Sequence, residues 1–186
     1  MIINKTNNCI LLSPKKHEDD RGYFQEIYSK EEYKKLGINV DFVQDNHSVS
    51  IQAGTLRGLH FQSTPNAQAK LVRCGKGSLY DVAVDIRQNS PTFGKWEGYT
   101  LSEHNCHQLY IPVGFAHGFI SLEPNTEIIY KCSDYYNNDM EGSILWCDED
   151  INITWPISKK PILSEKDSMA PKLDDIQSPF IFGVNS

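Results

Sequence analysis

Along residues 77–86, Gly-Ser-Leu-Tyr-Asp-Val-Ala-Val-Asp-Ile, the side chains divide between two faces. Tyr80, Val82, Val84 and Ile86 fall on one face; Leu79, Asp81, Ala83 and Asp85 fall on the other. A period of two is the mark of a β-strand, whose successive side chains point to opposite sides. The first face is wholly apolar and predicts a surface turned to a core. The second carries two carboxylates, so it must meet water, a ligand or cationic partners. Similar β-rich runs cover residues 23–28, 41–50, 55–61, 70–74, 96–101, 108–111, 118–122, 126–132 and 151–155. Turn signals separate them: Asp20-Arg21-Gly22, Asn89-Ser90-Pro91, Pro112-Val113-Gly114, Pro124-Asn125 and Asn137-Asn138-Asp139. Many short strands at this spacing predict an all-β fold, an antiparallel sandwich or barrel.

Helix signals are few. Ser29-Lys30-Glu31-Glu32 has the form of a capping box, in which Ser29 accepts from first-turn amides and Glu32 reaches back. Gly37 supplies a stop, so a short surface helix is expected over residues 30–36. A second start signal, Ser164-Glu165-Lys166-Asp167, lies between Pro161 and Pro171. From Asp174 the chain turns polar, and a loosely attached tail is expected. There is no internal repeat or interdomain linker. Residues 1–186 therefore read as a single domain, with a core over about 9–171 and a tail over about 174–186.

Composition narrows the function classes. With 186 residues, 39% hydrophobic and 23% charged, the chain is globular rather than disordered. A chain of this length buries roughly 70% of its unfolded surface and needs no staples to fold. No apolar run approaches the roughly 18 residues of a membrane span, and the first residues lack a basic segment followed by an apolar one. The five cysteines, Cys9, Cys74, Cys106, Cys132 and Cys147, are odd in number and contain no CxxC pair. They read as reduced thiols, and a cytoplasmic location is expected. A net charge of −6 argues against a nucleic-acid binder, though one anionic ligand could sit in a local basic pocket.

Three clusters carry candidate chemistry. The first is Leu56-Arg57-Gly58-Leu59-His60-Phe61-Gln62, with Lys70 and Arg73 following. The second is Ile111-Pro112-Val113-Gly114-Phe115-Ala116-His117-Gly118-Phe119, and the third is Tyr130-Lys131-Cys132-Ser133-Asp134-Tyr135-Tyr136. On different strands of a sandwich they could converge on one barrel mouth. The second cluster matches Pro-x-Gly-x-x-His, the second cupin motif, whose histidine is often a metal ligand. A metal-binding cupin would also offer His-x-His, where this chain reads His60-Phe61-Gln62. One imidazole is missing, and an amide oxygen is a poor ligand for a transition metal. His104 and His107 flank a turn-like stretch and His17 sits in a charged loop, so they do not repair the set. A cupin architecture without its metal is expected, leaving histidine and tyrosine chemistry.

Nine strings in order carry a family resemblance: residues 20–26, 42–48, 56–62, 70–74, 81–87, 90–94, 111–119, 141–146 and 163–167. Over residues 9–171 the chain resembles the dTDP-4-dehydrorhamnose 3,5-epimerases. The resemblance implies a cupin-type jelly roll with a few short peripheral helices, and an isomerase of dTDP-L-rhamnose synthesis that uses no cofactor or metal. Its reaction would epimerise carbons 3 and 5 of dTDP-4-dehydro-6-deoxy-D-glucose to give dTDP-4-dehydro-L-rhamnose. The 4-ketone acidifies both neighbouring C–H bonds. Inversion then needs a base on one face, an acid on the other and a cation near the ketone oxygen.

By resemblance, His60 is the base, Asp167 orients and charges it, Tyr130 is the acid on the far face, and Lys70 faces the ketone oxygen. Arg21, Glu26, Gln44, Asn46, Arg57, His117, Glu141 and Lys166 match the family's ligand-contacting positions, with Arg57 and Lys166 suited to the diphosphate. Tyr135 could stack on thymine. In the family an N-terminal strand crosses to the neighbour in a homodimer, so Arg21, Phe24 and Glu26 would serve the partner's pocket. Plainer readings stand beside these. Asp167 occupies the third helical position of a Ser-x-x-Asp cap, and the two tasks can compete for one carboxylate. Tyr130 could fill the core, Lys70 and Lys166 could be solvated, His117 could be a relic of the cupin metal site, and Glu141 could be a loop charge. Cys74 and Cys132 read as small core residues. Three alternatives stay open: a narrower 3-epimerase or 5-epimerase on a related nucleotide sugar, a non-catalytic sugar-binding cupin, and a metal-dependent cupin.

Overall fold

The computed structural model describes residues 1–6 and 8–183. Among them are thirteen strands: β1 (Ile2–Thr6), β2 (Cys9–Leu12), β3 (Lys16–Asp19), β4 (Gly22–Gln25), β5 (Gln44–Ser50), β6 (Leu56–Gln62), β7 (Lys70–Lys76), β8 (Ser78–Asp85), β9 (Trp96–Ser102), β10 (Gln108–Ile111), β11 (Phe115–Ser121), β12 (Thr126–Cys132) and β13 (Glu141–Ser143). Two short helices, α1 (Lys30–Lys35) and α2 (Glu165–Ser168), lie outside the sheets. One sheet has the order β1-β2-β10-β7-β12-β5, the other β13-β6-β11-β8-β9, and β3 pairs only with β4. Every strand pairing is antiparallel. This is the expected all-β sandwich.

The alternation along β8 explains the layering. Leu79 and Ala83 join Leu101, Phe115 and Phe119 on the inner face of the five-stranded sheet. They meet Cys9, Leu11, Val72, Cys74, Leu109, Ile111 and Ile128 from the six-stranded one. Val82, Val84 and Ile86 point outward, under a lid of Ile144, Ile151, Trp155, Leu173 and Phe180. Both faces of β8 are therefore buried, and its two carboxylates with them. Asp85 is met by Arg87, at 2.9 Å from Nε and 2.7 Å from Nη2, and by the Ser90 and Thr92 hydroxyls. A third cluster packs Tyr33 and Ile38, in and just after α1, over Ile10, Leu12, Leu71 and Tyr110 on the outside of the six-stranded sheet.

Several local expectations are corrected. Residues 151–155 are not a strand. Ile151 and Trp155 are buried in the outer layer, and Asp148 holds a turn there by accepting from the amides of Asp150, Ile151 and Leu173. Their alternating apolar side chains serve packing and not a sheet. The helix α1 forms where expected, and Gly37 follows it at φ +90°, but Ser29 makes no side-chain cap. Glu32 is drawn instead to Lys35, at 2.6 Å. His17 lies in β3, opposite Phe24, not in a loop. The stretch after Asp174 is not loose: Ser178 and Phe180 are buried, and Gln88 exchanges backbone bonds with Phe180 and Phe182. Residues 184–186 lie outside the described residues.

Candidate active site

A cavity of about 430 Å³ is lined by Arg57 and His60 from β6, Lys70 from β7, His117 and Phe119 from β11, and Tyr130 from β12. Residues 162–164, Lys166 and Asp167 close one side of it. Both sheets thus contribute, as the convergence of the three sequence clusters requires.

His60 and His117 are direct neighbours across β6 and β11, and each holds a different aspartate. His60 Nε2 lies 2.5 Å from Asp167 Oδ1, with the histidine side chain 29% exposed and the aspartate 4%. An ionised carboxylate only accepts, so His60 donates through Nε2–H, an arrangement that in the neutral imidazole leaves the lone pair on Nδ1. Burial works to raise the Asp167 pKa. The His60 hydrogen bond and charge, the Ser164 hydroxyl and the Gly58 backbone outweigh it and hold the carboxyl below its ordinary value. His117 Nε2 is bound to Asp81 Oδ1 at 2.7 Å, both fully inside the protein. Burial lowers the His117 pKa, with Asp81 pulling the other way.

The backbone at Gly58 makes room for this arrangement. It has φ +118°, and a Cβ there would stand 2.5 Å from Gly118 Cα and 2.7 Å from the His117 carbonyl. Only glycine allows β6 to approach β11 so closely. The approach coincides with an irregular register between His117 and Phe119.

Lys70 and Tyr130 are half-buried. Burial lowers the Lys70 pKa and raises that of Tyr130, so the hydroxyl remains protonated at neutral pH. Among the described residues Lys70 Nζ has no hydrogen bond or ion pair. Lys166 is bound to Glu141 at 2.5 Å, and Glu141 also accepts from Tyr136 Oη at 3.0 Å. Arg57 is exposed and donates to the Val49 carbonyl at 3.3 Å.

The structure thus brings His60, Lys70, Tyr130, Asp167, Arg57, His117 and Lys166 together. Gln44 and Asn46, joined at 3.0 Å, lie on β5 outside the cavity lining; exposed Tyr135, after β12, and half-buried Glu141, on β13, are outside it too. Arg21, Phe24 and Glu26 are not in this cavity. Arg21 pairs with Asp19 on the β3–β4 turn, and Phe24 is 70% exposed. Asp81 was not singled out as a site residue. Its signal was a carboxylate interrupting an apolar strand. No group of three His, Cys, Asp or Glu among the described residues is placed to hold a metal ion.

Residues 4–175 match the family model described as dTDP-4-dehydrorhamnose 3,5-epimerase. The chain is 54% identical over 177 residues to the dTDP-4-dehydrorhamnose 3,5-epimerase of Salmonella typhimurium, covering 94% of this chain and 96% of that protein. It is similar to a Legionella pneumophila dTDP-6-deoxy-D-glucose-3,5-epimerase solved with dTDP-4-keto-L-rhamnose: TM-score 0.93, 44% identity, covering 100% of this chain and 99% of that one. It is also similar to a Bacillus anthracis dTDP-4-dehydrorhamnose 3,5-epimerase solved with TDP and PPi: TM-score 0.89, 48% identity, covering 92% and 98%.

Proposed function

The chain belongs to the dTDP-4-dehydrorhamnose 3,5-epimerase family, and we propose that it inverts carbons 3 and 5 of dTDP-4-dehydro-6-deoxy-D-glucose to give dTDP-4-dehydro-L-rhamnose. The observation that carries this reading is the His60–Asp167 pair at 2.5 Å, opening on a cavity that also holds Lys70 and Tyr130.

His60 Nδ1, left bare by the hydrogen bond at Nε2, takes the proton from the carbon beside the ketone. Asp167 stabilises the imidazolium that forms. The electrons of the broken C–H bond move into the enolate, whose oxygen faces the Lys70 ammonium; a placed donor of this kind is worth about 10²–10³ in rate. Tyr130 gives its proton to the opposite face. His60 then releases the abstracted proton to solvent and the Tyr130 phenolate takes one up, and with both groups reset the second carbon follows the same course. The ketone itself acidifies both bonds, so the reading assigns no cofactor or metal. Arg57 and Lys166 hold the diphosphate by charge-assisted bonds. His117 contacts the ligand from within the cavity, and Gln44, Asn46, Tyr135 and Glu141 contact the parts of the sugar nucleotide that extend beyond it.

This activity resides in a single domain, since the three apolar clusters share the strands of the same two sheets. It works as a homodimer in which the β3–β4 hairpin brings Arg21, Phe24 and Glu26 to the neighbour's pocket. The hairpin joins neither sheet and leaves Tyr23 and Phe24 56% and 70% exposed, which supports that arrangement. A monomeric native protein in sedimentation analysis would refute it. No helix among the described residues is long and apolar enough to cross a membrane. The five free cysteines support a reducing, cytoplasmic compartment, and cell fractionation tests that assignment.

Incubation with the substrate in deuterated water, followed by NMR, tests the reaction. Deuterium at both carbons of an inverted sugar is expected. Deuterium at one carbon alone would reduce the activity to that of a mono-epimerase, and none at either would remove it from proton-transfer chemistry.

A further inference from the structure

Asp81 is fully buried, and only one of its oxygens is accounted for. Oδ1 accepts from His117 Nε2–H at 2.7 Å, while Oδ2 is buried with no hydrogen-bond partner among the described residues. A buried carboxylate in this state calls for a cation nearby. His117 does not supply one, because burial holds its pKa below the ordinary value and favours the neutral ring.

The cation at hand is Lys70. Among the described residues its Nζ has no hydrogen bond or ion pair. It falls on the inner face of β7 with Val72 and Cys74, as Asp81 falls on the inner face of β8 with Leu79 and Ala83, so both turn to the space between the sheets. There Asp81 favours the charged form of Lys70. Two other acidic groups face Lys70: Cys132 on β12 and Glu141 on β13. Burial pushes the Cys132 thiol up, so it is neutral. Glu141 is already bound to Lys166 at 2.5 Å and to Tyr136 at 3.0 Å. The remaining carboxylate of the site, Asp167, is bound to His60. Asp81 is therefore the carboxylate of this region with an oxygen to spare.

We propose that Asp81 is a positioning residue that acts through Lys70: Oδ2 supplies the buried negative charge that keeps the ammonium cationic and turned into the cavity, while Oδ1 fixes His117 as its Nε2–H tautomer. The proposal rests on Lys70 facing the enolate oxygen. It makes Asp81–His117 a second carboxylate–imidazole pair with a task unlike that of Asp167–His60. One pair serves the base; the other serves the oxyanion donor.

The test compares Asp81→Asn, Lys70→Met and the double variant by pH profiles of kcat/KM and by calorimetry with dTDP. Asp81→Asn preserves shape and an acceptor for His117 but removes the charge. A fall of about tenfold or more in kcat is expected, with dTDP affinity unchanged and the alkaline limb displaced to lower pH, because Lys70 then loses its proton more readily. In the Lys70→Met background the same substitution should cost less than about twofold, the mark of two residues acting as one unit. An unmoved alkaline limb, or losses that simply multiply, would overturn the proposal. If Lys70→Met turns over at the wild-type rate, the reading of Lys70 itself falls and the proposal with it. If Lys70→Met is inactive and Asp81→Asn is normal, only the proposal falls. Should Asp81→Asn not fold, the wild-type protein with 13C-labelled lysine carries the test. The Lys70 resonance, assigned by its loss in Lys70→Met, should remain that of an ammonium at pH 7, and titration below pH 7 would overturn the assignment.

Discussion

Asp167 serves His60 and its own helix with different atoms. Its Oδ1 lies 2.5 Å from His60 Nε2, while its backbone amide donates to Ser164 Oγ at 3.1 Å. The cap needs the amide and the base needs the carboxylate, so the two tasks do not compete. Asp167→Asn should therefore keep the Ser164 cap and lose the charge that steadies the imidazolium. Turnover is expected to fall about 10-fold to 100-fold, less than in His60→Ala, where exchange at both carbons should stop. A variant that changes only melting temperature would return Asp167 to a capping role.

The same pair sets an acid limit on stability. The Asp167 carboxyl is held below its ordinary value in the folded state. It therefore stabilises the fold above about pH 4, the unfolded value, and that contribution is lost as pH falls through the lower folded value. Acid titration of stability should be less steep below pH 4 in Asp167→Asn than in the wild type. Equal slopes would show that the pair contributes nothing to stability.

Gly58 offers a test of the backbone beneath the site. An alanine there must place its Cβ 2.5 Å from Gly118 Cα at φ +118°, so one strand has to move. A cost on the order of 3 kcal/mol is expected, seen as a fall of roughly 6–12 °C in Tm for a chain of this size. The displaced strand carries His60, so activity should fall as well. Unchanged melting and turnover would mean that β6 and β11 have slack.

How far the sequence foretold this depends on where each signal comes from. The strands from Gln44 to Cys132 were legible because their alternation is enforced by an apolar sheet face. Gln108–Ile111 and Thr126–Cys132 fall where the pattern puts them. The alternation of Ile151, Ile153 and Trp155 misled, because apolar spacing records burial and not hydrogen bonding. Glu141–Ser143 was missed for the converse reason: it is a short edge strand beside β6, and its polar residues carry no period. His60, Lys70, Tyr130 and Asp167 were nameable through family resemblance, yet nothing local in the chain ties His60 to Asp167, which are 107 positions apart. Only the fold joins them. Asp81 showed in the sequence only as a carboxylate interrupting an apolar strand; its burial against an equally buried His117 belongs to the fold.

Arg57 and Lys166 should act on the part of the substrate that does not react. Replacing either with Ala is expected to weaken dTDP binding about tenfold, by loss of a charge-assisted bond worth roughly 1.5 kcal/mol, with a smaller effect on kcat. Lys166 also loses its ion pair with Glu141, a contact at an exposed site that contributes little to stability. Melting temperature should thus hardly change. Calorimetry with dTDP reads the outcome, and unchanged affinity in both variants would remove them from the diphosphate site.

Tyr130 separates inversion from simple exchange. His60 alone can remove a proton and return it to the same face, which washes label into the substrate without changing its configuration. Inversion needs a donor across the ring. Tyr130 lines the cavity, and burial raises the pKa of its hydroxyl and keeps it protonated. Its ring packs against the inner core between the sheets. Tyr130→Phe preserves that packing and removes the proton. The variant should fold, bind dTDP and still exchange deuterium through His60, while the yield of inverted sugar falls by roughly 10²-fold or more, the range for loss of a general acid. Inversion at an unchanged rate would assign the acid to water or another residue and leave Tyr130 a wall of the core.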